Sequence, residues 1–426
     1  MVAKNAIPIW VPDLGGGASP HSATRSAASP LFRKLTDTVW IIFLIVAVYA
    51  TNPLKHYELE RYAWLMADAA ILALFLYRPI PFLKIIGRNL IVLSWPLLAI
   101  VSTIWSVAPG TSLWFGVQLL LTILVGLYLC IYADLEHVLK LLFTALLISA
   151  VLSIIYLIVS PGSARWYHGE LVGVFPHKNV LGHVMVLLIF TGLCLFLQGW
   201  RPYLAISGAI LGLLLLGMSR SGVGTVVLAL ALAVFPIGIL YRAGPSLLTL
   251  AAGGALTLLS AALLIVEINR FDLMQSVLEA LGKDASLTGR TILWDFAMDA
   301  YNTRPWLGFG YRGYWSNPDP SGVSTLHFIM GLQVAFFHNC FIETLVAFGI
   351  LGPILLTAGL IVAFFRAVRL FVADPQYVHL WSIIFLALVV VLAYVENPLF
   401  QNHGIHQLLF AVAAASSLER RRTIAQ

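Results

Sequence analysis

Apolar runs, each near the 20 or so residues a helix needs to cross a bilayer, follow one another along almost the whole of this 426-residue chain. Inside hydrocarbon a backbone must satisfy its own hydrogen bonds, so such runs fold as helices. They fall at 36–52, 62–78, 88–105, 112–132, 138–160, 179–198, 202–218, 221–241, 247–268, 340–367, 378–395 and 404–418. This pattern predicts an all-α integral membrane protein of about twelve transmembrane helices. The runs at 202–218 and 404–418 are short, and Gly349, Gly352 and Pro353 offer a kink inside 340–367. Only 10% of the residues are charged, against about 25% in a soluble domain, and mean hydropathy is +0.92. Neither a fixed-period repeat nor a matched pair of broken helices of the inverted-repeat type is visible.

The polar segments divide the chain. Residues 1–34 are rich in Gly, Ser, Ala and Pro, carry Lys4, Arg25, Arg33 and Lys34, and read as a disordered cytoplasmic tail. A nine-helix membrane region follows at 35–268, a long polar loop at 269–338, a three-helix membrane region at 339–418 and a basic tail at 419–426. The net charge of +6 is modest and flanks the apolar runs. It speaks for topology and contact with membrane lipids, not for nucleic acid. With both termini cytoplasmic, Arg78, Lys84, Arg88, Arg366, Arg369 and Arg420-Arg421-Arg422 all fall inside, and the 269–338 loop faces outward. The three cysteines, Cys130, Cys194 and Cys340, have neither disulfide nor zinc spacing. No metal site is expected.

Several polar clusters land on that outer side: Arg165-Trp166-Tyr167-His168, His177-Lys178-Asn179, Ser219-Arg220-Ser221, Glu396-Asn397 and Gln401-Asn402-His403. Thr288–Tyr301 carries apolar residues at helical spacing and reads as a short amphipathic helix with Thr288 as N-cap. Arg290 then sits in the first turn, where the helix dipole disfavours a cation. A bound phosphate resolves that conflict, and so does a lipid headgroup. Arg220 lies in a tight turn between apolar helices on the side where the positive-inside bias gives it no reason to be. His338-Asn339 opens a helix that carries Glu343; there imidazole stays neutral and suits a general base, or merely caps the helix. Lys178 suits phosphate or an interface anchor, and Asp68 lies within an apolar run. Tyr301, Trp306, Phe309, Tyr311, Tyr314 and Trp315 supply faces for sugar rings, and Gly308, Gly310 and Gly313 let backbone approach a ligand. An interfacial aromatic belt explains the same residues.

Taken in order, Ser219-Arg220, Gly289-Arg290-x-x-x-Trp294, Pro305-x-x-Gly308-x-Gly310 and His338-Asn339-x-x-x-Glu343 with Gly349-x-x-Gly352 resemble the O-antigen polymerase and ligase superfamily (Wzy-type). Gly173-x-Phe175-x-His177-Lys178-Asn179 is most similar to its ExoQ-like exopolysaccharide branch. The resemblance implies a bacterial inner-membrane glycosyltransferase that needs neither metal nor cofactor and works at the periplasmic face. Its donor would be an oligosaccharide on a polyprenyl (undecaprenyl) diphosphate. Its other partners would be the growing polysaccharide, a chain-length regulator and a flippase. Carried over, Arg220 and Arg290, with Lys178, would hold the diphosphate, and His338 would be catalytic. His177, Asn339, Glu343, Trp294, Trp306 and Tyr311 would position substrate. No Asp-x-Asp suggests a metal–nucleotide donor. The His-Lys-Asn element favours a polymerase over a ligase that moves finished glycan to another acceptor. A transporter of an anionic solute would put its charges at mid-membrane, and a structural scaffold would need no convergence of these cations.

Overall fold

A computed structural model describes residues 30–49, 59–77, 79–166, 169–244, 246–280, 290–316, 322–331 and 334–419. The expected tail over 1–29, Tyr167-His168, the expected N-cap Thr288, Gly289 and Arg420-Arg421-Arg422 lie outside them. Two compact units are distinguished, Met1–Val39 and Trp40–Gln426, and the first helix runs through their boundary. In the first unit Thr38 Oγ1 donates to the Lys34 carbonyl (2.9 Å). The helical bundle and the candidate site belong to the second.

Among the described residues the fold is all-helical, with one isolated bridge between Arg165 and Leu171. The helices are α1 Pro30–Tyr49, α2 Leu59–Tyr77, α3 Pro79–Arg88, α4 Leu90–Val101, α5 Pro109–Tyr132, α6 Leu135–Val159, α7 Lys178–Leu197, α8 Pro202–Ser219 and α9 Gly222–Ala243. There follow α10 Leu247–Ala280, α11 Arg290–Thr303, α12 Gly313–Ser316, α13 Val323–Met330, α14 Cys340–Phe348, α15 Leu351–Ala373, α16 Tyr377–Val395 and α17 Ile405–Glu419. Seven of these, α5 to α9, α15 and α16, are long and apolar enough to cross a membrane. The pair α3–α4 would make an eighth but bends by 95°, and shorter apolar stretches occur at Leu247–Leu263 and Ile405–Ser416. The apolar windows of α7 and α16 are 78% and 67% buried inside the protein, which puts these two at the centre of the bundle.

Two breaks interrupt the apolar helices, one at Asn89, at the start of the expected 88–105 span, and one inside the expected 340–367 span, and each has a local cause. At Asn89 the side chain turns back to the Ile85 carbonyl (2.9 Å). Arg366 of α15 then grips the corner, donating to Asn89 Oδ1 and to the Arg88 carbonyl, both at 3.1 Å. The expected span at 340–367 is two helices separated at Gly349, whose φ of +62° and ψ of −156° suit only glycine. The break leaves the carbonyls at the end of α14 without helical partners, and the 305–310 backbone supplies them. Phe309 N–H donates to the Val346 carbonyl (3.0 Å) and Gly310 N–H to that of Ala347 (2.9 Å). Ile350 N–H returns a bond to the Pro305 carbonyl (3.0 Å). The Pro305-x-x-Gly308-x-Gly310 motif is therefore docked on α14 and on the loop before α5, where Val107 N–H and Ser106 Oγ both reach the Phe309 carbonyl.

The aromatic run builds a second, smaller core. Phe309 and Tyr314 are buried with Leu293, Ala297 and Ala300 of α11 and with Phe337. Ring centroids lie 5.4 Å apart for Phe309–Tyr314 and 4.5 Å for Trp315–Phe337. This core fastens α11 beside α14 and fixes the chain just ahead of His338.

Gly349→Ala should lower the thermal midpoint of the detergent-solubilised protein and its folded yield. The new Cβ would lie 2.4 Å from the Pro305 oxygen, and the backbone strain alone costs of order 1–3 kcal/mol. Gly254→Ala, in open space within α10, is the control and should be neutral. Equal behaviour of the two variants would refute this account of the break.

Candidate functional site

Helix ends converge here. His177 is the N-cap of α7, its Nδ1 accepting from Asn179 N–H (3.2 Å). Lys178 is that helix's first residue. Asn339 is the N-cap of α14; its Oδ1 accepts from the N–H groups of Phe341 and Ile342, and its Nδ2 donates to the Tyr394 carbonyl at the end of α16. Arg290 is the first residue of α11, and Glu396 is the C-cap of α16. Each helix N-terminus presents N–H groups and a positive dipole end.

A single carboxylate joins two of the expected residues. Glu396 Oε1 lies 3.4 Å from Arg290 Nη2, and Glu396 Oε2 lies 3.1 Å from His338 Nδ1. The three side chains are 19–31% exposed, so the cluster is open to a ligand. His338 adopts φ of +52°, an uncommon conformation for a residue with a side chain, and its ring lies 4.4 Å from that of Phe336. His177 faces the same cluster. Burial holds it below its ordinary value, the charge of Glu396 raises it, and Lys178 and His338 lower it. Trp166 packs edge-on against His177, centroids 5.2 Å apart.

Glu343 is buried under the loop that carries His338. It accepts from Phe337 N–H (2.9 Å) and from Trp315 Nε1 (2.8 Å), so its oxygens hold the histidine's neighbour in place. Trp294 adds a third restraint by donating to the Phe337 carbonyl (3.0 Å). Burial pushes the Glu343 carboxyl up to about 7, against the downward pull of those two hydrogen bonds and of Arg312 and His338. Glu343 and Trp294 thus position His338.

The remaining expected residues are placed differently. Arg220 is the C-cap of α8 with φ of +49°, exposed and without an ion-pair partner among the described residues. Its turn lies against the start of α7. Ser221 Oγ donates to Asn179 Oδ1 (3.1 Å), and a Cβ at Gly182 would meet that hydroxyl at 2.5 Å, so α7 and α9 cross closely there. Lys178 pairs with buried Glu170 (3.0 Å). Tyr311 is 1% exposed, and its hydroxyl donates to Asn402 Oδ1 (2.6 Å), with the Phe400 carbonyl also within reach at 2.9 Å. Its ring is part of the core and offers no face to a sugar. Trp306 is 75% exposed, but its carbonyl lies beside Gly349, at the opposite end of α14 from His338. Asp68 is paired within the bundle, 3.6 Å from His403. Buried Cys340 Sγ donates to Asn397 Oδ1 (3.1 Å), and burial pushes its thiol up, so it is no nucleophile. Glu396 is the residue that sequence reasoning left without a role; its signal was a lone carboxylate on the outer side, near the end of an apolar run.

Beside this geometry stand two likenesses to known proteins. Residues 202–357 match the model of the O-antigen ligase family. The matched segment runs from α8 into α15. It contains Arg220, Arg290 and His338 and stops before Glu396. Over 369 residues the chain is 29% identical to the exopolysaccharide production protein ExoQ of Rhizobium meliloti (strain 1021), covering 80% of this chain and 81% of that protein. The superfamily resemblance of the ordered motifs therefore stands.

Native Glu343 keeps its proton up to about pH 7, whereas its ordinary value is 4.5. Between those values the native state binds more protons than the unfolded state, so stability falls as pH rises through that window. Thermal midpoints of the wild type from pH 4.5 to 8 should show this fall, and Glu343→Gln should flatten it. An unchanged slope in the variant would remove Glu343 as the cause.

Proposed function

We propose that this protein is a membrane glycosyltransferase of polysaccharide biosynthesis that polymerises exopolysaccharide repeat units. It transfers glycan from a polyprenyl diphosphate to a sugar hydroxyl. The observation that carries the reading is the contact of Arg290 and His338 through one carboxylate, at an edge open to ligand. The family match and the likeness to an exopolysaccharide production protein support it.

The chemistry follows from the groups present. The acceptor oxygen forms a bond to the anomeric carbon as the bond from that carbon to the diphosphate oxygen breaks. The bonding pair leaves with the diphosphate, whose growing charge Arg290 receives; Arg220, unpaired here, and Lys178, once freed from Glu170, add to it. The acceptor's proton passes to Nε2 of His338, since Nδ1–H is engaged with Glu396. Each charge change is met by a side chain of the protein, and the step as written calls for no metal. By the positive-inside bias this face is periplasmic in a bacterial inner membrane, with both termini cytoplasmic. A flippase to deliver the donor and a chain-length regulator are the partners such a reaction calls for.

The family match favours a second reading, a ligase that moves lipid-linked glycan to a different acceptor. Both share the donor chemistry. Lipid extraction from a deletion strain separates them: single repeat units on the carrier mean a polymerase, long lipid-linked chains a ligase.

Arg290→Ala and His338→Ala should each abolish polymer while the protein stays in the membrane, and Arg290→Lys should remain poor because a point charge lacks the guanidinium fork. Polymer is quantified by gel after complementation of the deletion. Normal high-molecular-weight glycan from either Ala variant would remove that residue's role.

A further inference from the structure

Glu396 stands where local electrostatics disfavours it. It caps the C-terminus of α16, the negative end of a helix dipole. Arg290, at the first residue of α11, stands at a positive end. Each charge sits at the wrong end of its helix, and the two face each other at 3.4 Å. The contact is a single one, using one of the five donors of a guanidinium, and both side chains keep about a fifth of their surface exposed. The second oxygen makes the shorter contact, 3.1 Å to His338 Nδ1. The carboxylate is therefore divided unequally, loosely on the arginine and more closely on the histidine.

We propose that Glu396 is a positioning residue with two successive tasks. In the empty site it occupies the anion position beside Arg290. When the donor's diphosphate takes that guanidinium, Glu396 stays on His338 alone. This rests on the reading of Arg290 as a diphosphate ligand. A diphosphate carries more charge than one carboxylate and can engage the guanidinium through two parallel bonds, so it displaces a single long contact. His338 keeps its partner through the exchange. Its ring stays in the tautomer that leaves Nε2 as acceptor, and the nearby carboxylate stabilises the imidazolium that forms when the acceptor's proton arrives. The exchange confines a fully engaged Glu396–His338 pair to the donor-bound enzyme.

The consequence is a pair of effects of opposite sign. Glu396→Gln removes the competing anion, so the purified full-length protein in detergent should bind farnesyl diphosphate, as a short polyprenyl diphosphate probe, about fivefold tighter. The same variant loses the charge that supports His338, so polymer output from the complemented strain should fall about 100-fold. In an Arg290→Ala background, Glu396→Gln should no longer change affinity. A merely structural role for Glu396 would weaken binding and output together. Unchanged or weaker binding by Glu396→Gln, or full polymer output from it, overturns the proposal. If Arg290→Ala alone binds the probe like the wild type, the diphosphate reading of Arg290 fails instead. Should the Gln variant not fold, Glu396→Asp, too short to span both partners, must show the same split, and wild-type behaviour there overturns the proposal equally.

Discussion

A backbone amide in hydrocarbon has no water to bond, and this constraint decides where the protein can place chemistry. Within a span every N–H and C=O is taken by the helix itself. Free backbone groups and unusual dihedral angles are admitted only where helices end. The groups of the candidate site, and Arg220 outside it, obey that restriction. His177 and Asn339 cap helices, Arg290 begins one, Arg220 and Glu396 end them, and His338 precedes one at φ of +52°. The bundle supplies the fixed frame, and α7 and α16, its most buried spans, each deliver one end to the site.

Charge placement follows from the same frame. Two cations occupy the first residue of a helix, Lys178 on α7 and Arg290 on α11, and each is met by a carboxylate from elsewhere, Glu170 and Glu396. The carboxylates differ in burial: the Glu170 side chain is 8% exposed and that of Glu396 20%, while Lys178 at 28% is more open than Arg290 at 19%. Separating a buried carboxylate from its cation is costly because the remaining charge loses its compensation away from water. The Arg290 pair, with the more open carboxylate and the longer contact, costs less to separate. Ranking the cations by how easily an anionic ligand can claim them therefore puts Arg290 ahead of Lys178.

Periodicity made the helices legible, and their interruptions were legible only in part. The run at 221–241 corresponds to α9 at Gly222–Ala243, and the amphipathic helix read over 288–301 corresponds to α11 at Arg290–Thr303. At 340–367 the glycines marked a weak point, but hydropathy cannot distinguish a kink from a full break whose freed carbonyls bond to residues some forty positions away. The bend at Asn89 is held by Arg366, which is 277 positions away in sequence. Aromatic composition carried the least information. Tyr311, Phe309 and Tyr314 looked like sugar platforms and are core, because a ring buried against Phe337 and a ring open to a glycan have the same letter in a sequence.

In the sequence Arg290 stood out as a cation at a helix start and His338 as an imidazole suited to one; Glu396 drew no role because an acidic residue at the outer edge of a span is unremarkable. What gives it meaning is the third dimension: α11 and α14 are held together by the small aromatic core, and α16 reaches α14 through Asn339 and the Tyr394 carbonyl. Glu343 and Trp294 then fix the backbone of Phe337, and the His338 ring beside it lies between Phe336 and Glu396. On the proposed reading of His338 as the base, the orientation of its ring is set by that one carboxylate. That is the arrangement expected where proton acceptance must wait until the leaving group's charge is already held by arginine.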